Sequence, residues 1–99
     1  MAGTWKLEGF EDWVRRWVAQ EAPPAALQAK VIDWLLTELR VNAFPPGSVP
    51  VGDNFPITWW FVRMPFGRDD NSRVVCTYEI SMSARVLVCK GLAELSLPI

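Results

Sequence analysis

The order of the hydrophobic patterns restricts this chain most: two segments of helical period come first, and the last third reads as three consecutive strands. The strand segments are Ile57-Thr58-Trp59-Trp60-Phe61-Val62-Arg63-Met64, Arg73-Val74-Val75-Cys76-Thr77-Tyr78-Glu79-Ile80 and Arg85-Val86-Leu87-Val88-Cys89-Lys90. Each is rich in β-branched or aromatic residues and bounded by turn formers. A pair of amphipathic helices has one apolar side that must be covered, and a meander of strands offers a face to cover it. The expected fold is therefore α/β in the α+β sense. A helical hairpin over about 9–41 packs on one face of a mainly antiparallel sheet of three or four strands. A proline-rich crossing at 44–56 leads to the meander at 57–92, and an apolar tail at 93–99 follows. Ninety-nine residues are enough for one domain with a single modest core.

In the first helix, expected from Gly9 to Gln20, Phe10, Trp13, Val14, Trp17 and Val18 fall at i, i+3, i+4, i+7 and i+8, which is one helix face. Glu11–Arg15 and Asp12–Arg16 are i,i+4 pairs on its solvated side. Thr4 to Leu7 suits a short leading strand. Ala22-Pro23-Pro24 stops the first helix and opens the second, since proline is tolerated in a first turn. There Leu27, Val31, Trp34, Leu35 and Leu39 form the stripe to be buried, with Ile32 and Leu36 widening it and Asn42 placed to cap the end. Pro45, Pro46, Gly47, Pro50 and Gly52 exclude a long regular element in the crossing.

Both alternating sets of the first long strand are apolar, so it belongs inside the sheet. In the next, Val74, Cys76, Tyr78 and Ile80 face one way and Arg73, Val75, Thr77 and Glu79 the other. A tight turn centred between Met82 and Ser83 would set Cys76 opposite Cys89, Tyr78 opposite Leu87 and Lys90 beside Val75. Two buried thiols are the expected state of the cysteines.

The composition removes several chemistries. Histidine is absent, and with it the commonest general acid/base and metal ligand. Two cysteines are too few for a four-ligand zinc site or a disulfide scaffold. No phosphate loop, serine elbow or dinucleotide fingerprint occurs, so no cofactor is expected. Asp69-Asp70 lies in a turn and reads as solvated. The net charge of −1 carries no overall basic footprint. No secretory leader or membrane-length apolar run is visible, which gives a cytoplasmic location with no membrane partner as the expectation. The remaining chemistry is cationic. Arg63, Arg73 and Lys90 lie on successive strands. On a sheet face left open by the helices they would hold phosphate oxygens and stabilise charge building in phosphodiester cleavage.

Trp59-Trp60-Phe61-Val62-Arg63, Arg73-Val74-Val75-Cys76 and Arg85-Val86-Leu87-Val88, set after two helices and a proline-rich crossing, resemble the core strands of the RelE/ParE superfamily of bacterial type II toxins. The resemblance implies a small toxin held by a cognate antitoxin. Its targets are messenger RNA on the ribosome in the endoribonuclease branch, or gyrase in another. It assigns phosphate binding and transition-state stabilisation to Arg63 and Arg73, with Lys90 assisting. The C-terminal tyrosine or histidine common in the nuclease branch has no counterpart here, because Tyr78 is the single tyrosine. The second reading is a non-enzymatic protein-interaction module, an immunity-type protein or a small subunit of a larger complex. It draws on the six tryptophans and the apolar tail.

Overall fold

The computed structural model describes residues 3–52 and 58–98. Its elements are β1 (Lys6–Glu8), α1 (Phe10–Glu21), α2 (Ala25–Trp34), a π-helical turn (Leu35–Leu39), β2 (Val49–Pro50), β3 (Trp59–Arg63), β4 (Ser72–Ser81) and β5 (Val86–Ser96). The helices pack against a mostly antiparallel sheet, as expected. The sheet has five strands rather than three or four, in the order β1-β5-β4-β3-β2. The expected leading strand is present as β1, shifted to Lys6–Glu8 and paired parallel with β5, and the addition is β2, an antiparallel edge on β3. The proline-rich crossing thus contributes a strand of its own, and Ile57 lies outside the described residues.

Gly9 turns the chain from β1 into α1 with φ 77°, and a Cβ there would stand 3.6 Å from the Cys89 carbonyl oxygen. The positive φ is what favours glycine here, since the 3.6 Å approach is an ordinary contact. α1 ends where Ala22 enters the left-handed region and its N–H bonds the Val18 carbonyl. The second helix starts on Pro24, whose carbonyl accepts from Leu27 and Gln28 N–H. Its last turn widens, with Arg40 N–H bonding the Leu35 carbonyl, and the Arg40 carbonyl in turn accepts from Trp5 N–H at 2.8 Å. Asn42 closes the helix end with its backbone, its N–H donating to the Glu38 carbonyl at 3.0 Å, while its Oδ1 accepts from Phe44 N–H.

Leu27, Val31, Trp34, Leu35 and Leu39 are buried as the spacing predicts. Ile32 and Leu36 are not, at 45% and 47% exposure. They lie one position past the buried stripe, a rotation of about 100° about the helix axis. Opposite the helices, Val62, Met64, Val74, Cys76, Tyr78, Ile80, Leu87, Cys89 and Leu92 complete the core. The expected i,i+4 partner of Arg15 is present, Nη2 to Glu11 at 2.6 Å. Asp12 pairs with Arg15 rather than Arg16, because the Arg16 guanidinium lies over the Trp13 ring.

The β4–β5 register differs from the tight-turn expectation. Tyr78 faces Cys89 and Ile80 faces Leu87, a displacement of two residues that keeps the side chains between the loop and the bulge on their expected faces, whereas past the bulge the displacement is three and Leu92 turns to the core. The loop spans Met82 to Arg85, and Arg85 takes φ 54°. Its guanidinium donates to the Gly3 carbonyl at 2.7 Å and covers the Trp5 ring at 4.4 Å. These contacts from the N-terminal segment hold the longer loop, and local spacing cannot register them. A bulge between Thr77 and Tyr78 then leaves Lys90 as the extra residue of β5. Cys76 therefore faces Leu92, not Cys89, and Ala93, not Lys90, stands beside Val75. Beyond the bulge β5 runs on to Ser96, so most of the expected tail is strand.

Candidate functional site on the uncovered sheet face

β3 alternates cleanly. Val62 is buried under the helices with Trp60 beside it, and Trp59, Phe61 and Arg63 take the other face. Register extends that face across the sheet: Trp59 faces Glu79, Phe61 faces Thr77, Arg63 faces Val75, and Val75 faces Ala93. Arg73, two residues before Val75 on β4, shares it. Val75 is 6% exposed yet outside the helix-covered core cluster, shielded by its neighbours on this second face.

Arg63 and Arg73 are thus diagonal neighbours across β3 and β4, positions typically about 7–8 Å apart in a sheet. That spacing lets two guanidinium groups converge on one phosphate. Arg63 is exposed and makes no ion pair among the described residues. One nitrogen of Arg73, Nη1, donates to the Ser72 carbonyl at 2.6 Å and the Asp70 carbonyl at 3.3 Å, which steers the guanidinium along the turn. Lys90 does not join this pair. Its ammonium stands over the Trp59 ring, 5.5 Å from the centroid. Trp59 lies four residues, about 13 Å, along β3 from Arg63. The three expected cations share one face, but as a pair and an outlier.

Trp59 is the residue that sequence reasoning left among the general tryptophan count. Trp5, Trp17 and Trp34 are buried, whereas Trp59 is 39% exposed. Its Nε1 donates to Glu79 Oε2 at 2.9 Å. The signal that separates it from Trp60 is strand parity with Arg63.

The remaining ionisable groups sit elsewhere. Tyr78 is buried on the core face, and its hydroxyl donates to the Ala43 carbonyl at 2.7 Å. Burial pushes its phenol well above the ordinary range, and the neighbouring Cys76 adds to the rise. The Cys76 thiol is pushed well up by its hydrogen bond with Cys89 and by burial. Asp69 and Asp70 are exposed in their turn, where Asp69 Oδ1 accepts from Asn71 N–H. Among the described residues no group of three or more His, Cys, Asp or Glu side chains gathers around a possible metal position. No described helix is long and apolar enough to cross a membrane.

A separate groove of about 320 Å³ runs between the helices, lined by Leu7, Phe10, Val14, Ile32, Leu35 and Leu36. It explains where the exposed Ile32 and Leu36 point. No protein-family model, curated protein or solved structure matches the chain.

Proposed function

We propose that this chain is a RelE/ParE-like toxin that acts on translation, with messenger RNA held on the uncovered sheet face. The observation that carries the reading is the placement of Arg63 and Arg73 as diagonal neighbours on that face. The element order, a helix pair followed by an antiparallel meander, also agrees with the resemblance. Two guanidinium groups present planar donor forks to phosphate oxygens and favour the extra negative charge of a pentacoordinate transition state. In the cleavage this implies, the ribose 2′-oxygen bonds to the adjacent phosphorus as the bond to the 5′-oxygen breaks. The hydroxyl proton goes to solvent and the leaving oxygen takes one from it, since the chain has no histidine and its tyrosine is buried. Lys90, riding on Trp59, contributes to binding of the strand rather than to the reacting phosphate.

The test is controlled induction in a bacterial host. Wild type is expected to arrest growth, and Arg63→Ala/Arg73→Ala, expressed to the same soluble level, to leave growth intact. Equal toxicity of the two removes the arginine pair from the function.

A protein-interaction module is the second reading, favoured by the apolar groove beside Ile32 and Leu36. A cognate antitoxin or another protein partner would cover it. Light scattering and co-purification with wild type and Ile32→Asp/Leu36→Asp separate the readings. Loss of a bound protein without any RNA effect favours the module alone.

A further inference from the structure

We propose, building on the RNA reading above, that Trp59 is a stacking platform for an unpaired base, which makes single-stranded RNA the ligand class of this face. Trp59 and Trp60 are adjacent in sequence and opposite in role. Trp60 faces the helices, where Phe44 meets it edge-on at 4.8 Å between ring centroids. Trp59 points away from the core, and its indole is fixed from two directions. Glu79 holds Nε1 from directly across the β3–β4 ladder, and the Lys90 ammonium stands above the ring. A fixed indole has little entropy left to lose on stacking, and a base that stacks on it takes the ring from the Lys90 ammonium, which turns to the nucleotide's phosphate. The bulge that displaces Lys90 from the β5 ladder also brings its cation to this ring, next to where the phosphate of a stacked nucleotide would lie.

Charge selects a polyanion over an apolar protein surface. Over β3, β4 and β5 this face carries Arg63, Arg73 and Lys90 against one carboxylate, Glu79, which is engaged by the indole. At its β1 margin Lys6 and Glu8 pair with each other at 3.5 Å. Apart from Glu94 of β5, which pairs with Arg68, the other described acidic residues lie off these strands, as in α1, with Asp69 and Asp70 in the turn that lines a cleft with Arg73. Phe61, half-buried between Trp59 and Arg63 on the same strand, continues the apolar floor between the indole and the arginine pair. Aromatic rings interleaved with cations on an open sheet suit unpaired bases, whose faces are free, and not a duplex, whose faces are stacked.

The experiment is fluorescence anisotropy with a labelled oligoadenylate, the same-length abasic oligonucleotide, and the oligoadenylate annealed to oligouridylate. Wild type, Trp59→Ala, Trp59→Phe and Arg63→Ala/Arg73→Ala are compared, with circular dichroism confirming that each is folded. Wild type is expected to bind the oligoadenylate about tenfold more tightly than the abasic strand. Trp59→Ala is expected to lose that factor and to bind both strands alike, while Trp59→Phe keeps most of it. If Trp59→Ala binds the oligoadenylate as wild type does while the arginine variant is weakened, the platform is wrong and the RNA reading stands. If folded wild type binds none of the three, both the platform and the RNA reading are overturned.

Discussion

The hydroxyl of Tyr78, in the middle of β4, donates to the main-chain carbonyl of Ala43, just past the π-helical turn. The bond ties the exit of the helical layer to the core face of the sheet. Tyr78→Phe leaves the Ala43 carbonyl without its partner and is expected to lower stability by about 1–2 kcal/mol, read from urea denaturation.

The same residue sets a pH dependence. Burial raises the folded-state phenol above its unfolded value, so the stability it contributes is fully present below the unfolded pKa of about 10. It is lost as pH rises from there through the folded value. With one tyrosine in the chain, phenolate absorbance reports this group alone. Native protein is expected to show no phenolate near pH 10 and to gain it only with unfolding, whereas Tyr78→Phe lacks that part of the alkaline loss. An ordinary titration in the native state would contradict the burial.

Gly67 is required by contact. A Cβ built there would collide with the Ser72 carbonyl oxygen, a backbone atom that cannot rotate away. Gly67→Ala is expected to destabilise by more than about 1 kcal/mol and to disturb the turn that aims Arg73. Unchanged thermal unfolding would show that the turn opens without cost.

Arg68 joins that turn to two other elements. It pairs with Glu94 of β5 and donates to the Glu21 carbonyl at the end of α1, while Glu21 Oε1 accepts from Glu94 N–H. The Glu94 side chain is 5% exposed, in contrast to Glu11, at 80% in its pair with Arg15. Glu94→Gln is expected to lower the melting temperature clearly and Glu11→Gln hardly at all, because exposed pairs contribute little. Equal effects of the two in a thermal scan would argue against the network.

The thiols provide a further check. Both cysteines are free and buried, and Cys76 is held in its protonated form. Two thiols are expected to react with an aromatic disulfide reagent after denaturation, and only slowly in the native protein near neutral pH. Absence of reactive thiols in the denatured, unreduced chain would mean a disulfide.

The parts of the fold read from sequence are those governed by local period. The α1 face of Phe10 and Trp17, the α2 stripe of Val31 and Leu39, and the inward set of β4 follow from spacing alone. Parity also put Arg63 and Arg73 within reach of one another. The misread features rest on distant contacts. Arg85 is held over Trp5 and Gly3, which lengthens the β4–β5 loop and shifts the register. Glu94, which reads as tail, is drawn into β5 by its contacts with Arg68 and Glu21. Lys90 left the ladder because of a bulge that no run of residues announces. Ile32 and Leu36 read as core because apolar residues on a groove and in a core look alike in a single sequence.

Cell-free translation tests the central claim most directly. Purified wild-type protein and Arg63→Ala/Arg73→Ala, shown to be equally folded, are added to a bacterial translation extract, and protein synthesis is followed with time. Wild type is expected to stop synthesis and leave cleaved message, and the double variant to do neither. Inhibition by both, or by neither, would contradict a toxin that holds RNA through the arginine pair of the uncovered face.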